Sequence, residues 1–356
     1  MVPESSHAKS LYLVPCDGQP LERHLPGQHL PLRFRVPGNS TPVLRFYTIS
    51  DRHHTSHYRL TIKKELPPSD RPDLPSGLAS TFVNDILRVG DTLEAKTPNG
   101  NFYLDTQEPH PVVLIAGGIG VTPLIAMLNA IKVEQPARHI DFFYALCGRH
   151  DHAFKAHCEQ LVRDLPNLRY RVLYEHPQSA DRLGQDYHVQ GRVDMALLNE
   201  ALQVINRDYY ICGPRPMMDA ITSALADQGV LDANIHTESF GPSSSTYRAD
   251  ITGTDDAPIS DVTANQIETE ADTITVTFAK SGRMITWDPT CQSLLQFAEG
   301  NDVNISAGCH YGDCGTCQTP LLAGDVEYNH ATGITPDPGH CLPCSCKPAA
   351  HVTLDV

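Results

Sequence analysis

Six of the eleven cysteines in this chain of 356 residues crowd into positions 309–346. Three of them, Cys309, Cys314 and Cys317, follow the spacing C-x4-C-x2-C on a loop of small and polar residues. A loop that tight brings three sulfurs to one side of a metal centre, and a fourth must arrive from Cys341, Cys344 or Cys346. Three clustered thiolates and one distant thiolate are the pattern that holds a 2Fe–2S cluster. A structural zinc site more often uses paired C-x2-C knuckles, and here only Cys314 and Cys317 make one at the right place. The other five cysteines are scattered singly, which argues against a disulfide framework and for a reducing compartment. A one-electron carrier needs a donor, and the remaining residues are read for one.

The length leaves room for two or three domains, each able to bury a core. No run of 18 apolar residues occurs, so no membrane span is expected. The residues after Met1 lack a basic segment followed by an apolar stretch, so no secretory leader is expected and the expected location is cytoplasmic. The net charge is −15, of which residues 243–270 carry −5 and residues 271–356 carry −6. Part of that charge serves solubility. It also suits docking of the cysteine-rich end on a basic patch of a partner protein, and it excludes nucleic acid as a partner.

Residues 1–106 hold short alternating stretches (11–14, 30–36, 44–49, 58–63 and 92–96) separated by Pro, Gly and Asn, the rhythm of a small antiparallel barrel. From 107 to 242 the pattern becomes strand–helix–strand, with strands expected at 112–116, 140–146, 169–174 and 209–212 and helices at 123–131 and 153–164. Met195–Val204 extends the series, and the whole reads as a doubly wound α/β domain. Residues 243–270, rich in Ser, Thr and Asp, read as a flexible acidic linker. In 271–356 a hairpin over 274–287 and a short helix over 293–299 precede the cysteine loop.

Gly117, Gly118 and Gly120 sit between an apolar strand and a helix, where bare backbone can approach a pyrophosphate and first-turn amides complement its charge. The spacing is not G-x-G-x-x-G. Cys212, Gly213 and Pro214 end another strand, so both segments fall at the carboxyl edge of a parallel sheet. In the barrel, Arg45, Tyr47, Thr48 and Ser50 lie in one strand, and alternation places Arg45, Tyr47 and Ile49 on one face. A cation, a ring and hydroxyls are what a flavin requires. His53, His54, His150 and His152 lie in polar loops and read as solvated surface, while Cys309 next to His310 lacks the spacer of a Rieske motif.

Taken together, these motifs resemble the ferredoxin–NADP reductase superfamily over nearly the whole chain. The domain order is that of phthalate dioxygenase reductase and vanillate demethylase reductase. Gly77 to Ser80 and His236 to Pro242 are closer to flavohaemoglobin reductase domains. The resemblance implies a multidomain fold: an antiparallel β-barrel for flavin, an α/β nucleotide domain and an α+β (β-grasp) ferredoxin domain. It implies that Arg45 holds the flavin phosphate, Tyr47 lies along the ring system, Thr48 and Ser50 meet its polar edge, and Gly77 and Ser80 wrap the pyrophosphate. Gly117, Gly118, Gly120 and Thr122 would bind the dinucleotide, with Cys212, Gly213 and Pro214 beside the nicotinamide and Glu238 and Phe240 closing over the flavin. Thr48, Cys212 and Glu238 would stand at the reacting centre. FAD is favoured over FMN because the segment 238–240 matches FAD members, and NADH over NADPH, with Arg149 the cation nearest a 2′-phosphate. Cys344 lies four residues before Pro348, the plant-type offset, which makes it the fourth ligand beside Cys309, Cys314 and Cys317. An extended segment would put Cys346 on the same face, packed as a small hydrophobe. The implied activity is an electron-transfer reductase serving a Rieske-type oxygenase, another monooxygenase or a small metalloprotein. A redox sensor without a downstream acceptor is the alternative.

Overall fold

The computed structural model describes residues 1–240 except 40–41, 68–71, 74, 203–205 and 239, and residues 274–356 except 290, 292, 302, 304, 306–311, 313–314, 316, 330–331 and 333. The chain divides into two compact units, Met1–Phe240 and Gly241–Val356. The expected linker at 243–270 lies outside the described residues.

The first unit opens with two three-stranded antiparallel sheets. β1 (Val2–Pro3) pairs with β2 (Ala8–Leu13), and β2 pairs with β5 (Tyr58–Lys63) in the register Leu11↔Leu60. β3 (His29–Phe34) pairs with β4 (Val43–Thr48), His29 facing Thr48, and with the short β6 (Glu94–Ala95). An Ile49–Leu60 bridge joins the sheets. The alternating apolar residues Leu11, Leu30, Leu32, Phe34, Ile49, Leu60 and Ile62 meet in one core, which closes the sheets on each other as the sequence rhythm predicts. A short helix, α1 (Leu78–Thr81), continues into a π-turn at Phe82–Ile86 and lays Ala79 and Val83 on that core.

Beyond it a six-stranded parallel sheet has the order β10-β9-β8-β7-β11-β12. Its strands are β7 (Val112–Gly117), β8 (Ile140–Leu146), β9 (Leu168–Tyr174), β10 (Val189–Gln190), β11 (Asp208–Cys212) and β12 (Ile235–Glu238). Strand β7 alternates between layers: Val112, Leu114 and Ala116 pack with α2 (Val121–Glu134) and α3 (Lys155–Asp164). Val113 and Ile115 pack with α4 (Met195–Ala201) and α5 (Arg215–Asp227). Every residue of α2 from Val121 to Ile131 is buried, as befits a helix apolar on all sides. Sequence patterning missed α5 and β12, and it ran α4 on to Val204, whereas the helix stops at Ala201. Asp194 caps its start, accepting from the amide of Leu197 at 2.8 Å.

The second unit is a mixed five-stranded sheet in the order β14-β13-β19-β15-β17. It comprises β13 (Thr275–Phe278), β14 (Arg283–Thr286), β15 (Thr319–Ala323), β17 (His340–Cys341) and β19 (Val352–Leu354). A separate ladder joins β16 (Val326–Tyr328) to β18 (Cys346–Pro348). Helix α6 (Leu294–Gly300) buries Leu294, Leu295 and Phe297 against Val276 and Phe278. This is the β-grasp arrangement, helix across a mixed sheet. No helix among the described residues is long and apolar enough to cross a membrane.

Candidate active site

In the parallel sheet, β8, β9 and β10 extend to one side of β7 and β11 and β12 to the other. The crevice above that reversal is where open α/β sheets bind ligands. Here the two glycine segments touch. A Cβ on Gly120 would lie 2.2 Å from the carbonyl oxygen of Cys212, and one on Gly213 would lie 2.8 Å from the Cα of Gly117. Only glycine fits between these backbones. Gly118 has φ +54 and nothing within 4 Å of its missing side chain, so its bare backbone faces open space at the start of α2. Thr122 is buried and donates to the carbonyl of Ile119 at 3.2 Å, which fixes the turn. Pro214 lies 2.5 Å from a Cβ built on Gly117.

Cys212 ends β11 fully buried, directly across from Glu238 on β12. Burial first, and the charge of Glu238 second, raise its thiol well above the usual cysteine range, so it stays protonated at neutral pH. Glu238 in turn lies 3.8 Å from Nδ1 of His29, and His29 faces Thr48 across the β3–β4 ladder. Thr48 Oγ1 and His29 Nε2 are buried and have no hydrogen-bond partner among the described residues. Polar atoms in that state are costly unless a ligand satisfies them. His29 thus links Thr48 on the barrel to Glu238 on the parallel sheet, and Glu238 is the ladder partner of Cys212. His29 was missed by sequence reasoning: it carries no motif, and its meaning comes from a long-range pairing.

The other flavin candidates fall into two groups. Arg45 is exposed, and Tyr47 packs edge-on to Phe34 at 6.0 Å, burial pushing its phenol up to about 12. Ser50 and Ser80 are buried and already bonded. Ser50 Oγ meets Thr61 Oγ1 at 2.9 Å, and Ser80 Oγ donates to the carbonyl of Gly77 at 3.0 Å while accepting from the amide of Glu65 at 3.1 Å. A Cβ on Gly77 would meet Ser80 Oγ at 2.7 Å, so the turn is close-packed. Phe240 is 43% exposed at the end of the unit. A cleft of about 300 Å³ lies elsewhere, beside α3, lined by Lys155, Asp186 and His188. We place no chemistry there, because its lining charges pair with each other, Lys155 with Asp186 at 2.5 Å.

In the second unit Cys317 Sγ and Cys344 Sγ are 3.0 Å apart. A metal–sulfur bond of about 2.3 Å puts two thiolates of a tetrahedral ion about 3.8 Å apart, so a shift below an ångström lets this pair share one ion. Gly312 (φ +82) and Gly315 (φ +70) lie between Cys309 and Cys317 in the sequence, and a Cβ on Gly312 would lie 2.6 Å from Ser345 Oγ. Cys309 and Cys314 lie outside the described residues. One expectation is corrected here. Cys344 is not in an extended segment with Cys346 but in a turn closed by the Ser345 amide on the carbonyl of Leu342 at 2.9 Å. Cys346, on β18, is a free thiol hydrogen-bonded with Cys341, a contact that with burial drives it strongly upward.

A barrel whose buried hydroxyl awaits a ligand, a glycine crevice at a strand reversal and a paired-thiol loop define an oxidoreductase built for flavin, nicotinamide and iron–sulfur. Comparison with known proteins agrees. Residues 15–103 match the oxidoreductase FAD-binding domain, residues 114–223 the oxidoreductase NAD-binding domain, and residues 276–349 the 2Fe-2S iron-sulfur cluster binding domain. A flavohemoprotein of Bordetella pertussis is 37% identical over 240 residues, 67% of this chain and 58% of the relative. The chain therefore spans less than two thirds of the curated relatives it matches. The flavohem-like FAD/NAD binding domain of nitric oxide dioxygenase from Vibrio cholerae is 31% identical, with a TM-score of 0.60 over 68% of this chain and 95% of that one. Phthalate dioxygenase reductase, described as a modular structure for electron transfer from pyridine nucleotides to 2Fe–2S, shares the fold over 100% of this chain and 95% of its own, at 21% identity and a TM-score of 0.55. The chain belongs to the ferredoxin–NADP reductase superfamily and ends in a plant-type 2Fe–2S domain.

Proposed function

We propose that this chain moves electrons from NADH through FAD and a 2Fe–2S centre to a partner protein, an oxygenase or other monooxygenase component. The observation that carries the reading is the link from Thr48 through His29 and Glu238 to Cys212, in a chain that also matches a 2Fe-2S cluster binding domain. When bound, flavin takes up a hydride's two electrons and gives them up singly, and an iron–sulfur centre carries one at a time. The residues of the chain do the positioning. Gly117, Gly118, Gly120 and Gly213 hold the dinucleotide against bare backbone, with Thr122 bracing the turn and Pro214 walling it. Thr48 donates to the polar edge of the flavin, and Arg45, Tyr47, Ser50, Gly77, Ser80 and Phe240 complete its cradle. Cys212, kept protonated, and Glu238, beside His29, border the nicotinamide and exclude water. Cys309, Cys314, Cys317 and Cys344 ligate the cluster.

Cutting the chain at residue 242 tests the route. The fragment 1–242 keeps its flavin absorbance and reduces ferricyanide with NADH, and its cytochrome c reduction drops at least tenfold against the whole chain. Undiminished cytochrome c reduction by the fragment refutes the second unit as the exit.

A further inference from the structure

The loop between β4 and β5 carries Asp51, His54 and His57, and none of the roles above uses them. One ligand atom from each lies within 4.8 Å of the others, and the His54 Nε2 to Asp51 Oδ2 distance is 3.6 Å. All three side chains are partly buried. The His54 and His57 rings stack with centroids 4.6 Å apart.

We propose that Asp51, His54 and His57 form a three-ligand site for a divalent transition-metal cation, separate from the iron–sulfur centre. Two imidazoles and one carboxylate suit Zn²⁺ or Cu²⁺ and leave a coordination position for water. The carboxylate is already oriented. Asn129 on α2 donates to Asp51 Oδ1 at 2.8 Å, and His157 on α3 engages Asn129 Oδ1 at 2.8 Å. Outer partners of this kind aim a metal-ligating carboxylate and leave its second oxygen for the ion. Besides His54, that second oxygen has Arg59 as a cationic neighbour among the described residues, at a loose 3.7 Å. Arg59 is anchored elsewhere, donating to the carbonyl and hydroxyl of Ser50 and lying 5.1 Å over the Phe154 ring. Its charge weakens the site without filling it. For its nitrogen lone pair to face the ion, the His57 ring would have to turn out of its stacked pose and away from Ser56 Oγ, 3.1 Å from Nδ1. A bound ion would tie this loop, one residue past Ser50, to α2 and so brace the barrel against the nucleotide domain.

The test uses the oxidised whole protein with Zn²⁺ alone, and in parallel Cu²⁺ alone. Calorimetric titration with Zn²⁺ should show a one-to-one site that weakens at least tenfold in Asp51→Asn, His54→Gln and His57→Gln. It should be unchanged in His176→Gln, a control at an exposed histidine. Binding that survives within threefold in any of the three variants, or falls equally in the control, overturns the site. Copper EPR on the unsubstituted protein needs no variant to fold, and oxidised flavin and oxidised 2Fe–2S add no signal of their own. Splitting from two nitrogens supports the assignment. One nitrogen or none, or a sulfur-ligated spectrum from the exposed thiols of Cys16 or Cys147, overturns it.

Discussion

Cys344 and Cys346 stand two positions apart, yet their sulfurs serve different partners. The Cys344 sulfur reaches Cys317, and that of Cys346 reaches Cys341. Cys344→Ala should therefore abolish the visible absorption and EPR signal of the cluster, while Cys341→Ala leaves both intact. Cys346→Ala should keep the cluster and lower stability by about 1–2 kcal/mol, the cost of a small buried void beside a thiol that loses its partner. Full iron content in Cys344→Ala would sink the ligand assignment. The offset from Pro348 singled out Cys344 in the sequence, but the turn that brings its sulfur to Cys317 was not legible there. A turn at 343–345 forms because the chain must leave β17 and enter β18, and local patterning shows neither strand. His29 was illegible for the same reason. Its neighbour Glu238 sits on an edge strand that forms only by pairing with β11.

Among the elements, the loop after β8 is where we propose that the nucleotide's 2′ position is read. Arg149 follows the second strand of the parallel sheet, the region from which a cation commonly meets a 2′-phosphate. Its Nε lies 2.7 Å from Asp181 and its Nη2 3.1 Å from Asp186, so two carboxylates already occupy it. Asp181→Asn should leave Asp186 as its one remaining partner and raise kcat/KM for NADPH up to about tenfold, the worth of one charge-assisted hydrogen bond, with little change for NADH. An unchanged NADPH/NADH ratio would rule Arg149 out as the determinant. The same region sets an acid limit. His152 bonds Tyr174 at 2.8 Å and Tyr170 at 3.1 Å, and burial lowers it to about 3. Below pH 6.5 the unfolded chain takes up a proton that the folded chain refuses until about 3, so stability falls as pH falls across that window. Between pH 7 and 5 the loss from this one group is about 2 kcal/mol. Denaturant midpoints of His152→Gln should show a shallower decline over that range than those of the parent. Strand β7, and β8 apart from Asp141, were readable because continuous apolar runs mark buried parallel strands. The helix α5 carries a helical signal, with Met218, Ile221 and Leu225 buried at i, i+3 and i+7, and was passed over because the segment was read for its ligand motif.

For the molecule as a whole, the uneven charge is the feature most exposed to experiment. Residues 271–356 carry −6 of the net −15. If that end docks on a basic partner, electron delivery to cytochrome c should slow several-fold between low and physiological salt as screening shortens the reach of the field. Ferricyanide reduction by the fragment 1–242 lacks that acidic end and should respond differently. A salt-independent cytochrome c rate would remove charge as the guide. Domain order and cofactor classes were legible here because each rests on a short motif with its own chemistry. The acceptor was not, because recognition between proteins is spread over a surface rather than written in a motif.

The strand order has a consequence for how the protein is made. β7, first of the nucleotide sheet to emerge, ends in the centre of it, and the neighbour on its far side, β11, does not begin until residue 208. At ribosomal speeds that leaves an uncharged edge, Val112 to Gly117, open for on the order of ten seconds on the nascent chain. Such an edge pairs with any other it meets. Overproduction should therefore yield more inclusion bodies at 37 °C than in cells grown cold or supplied with extra holdase, whatever the supply of iron or flavin.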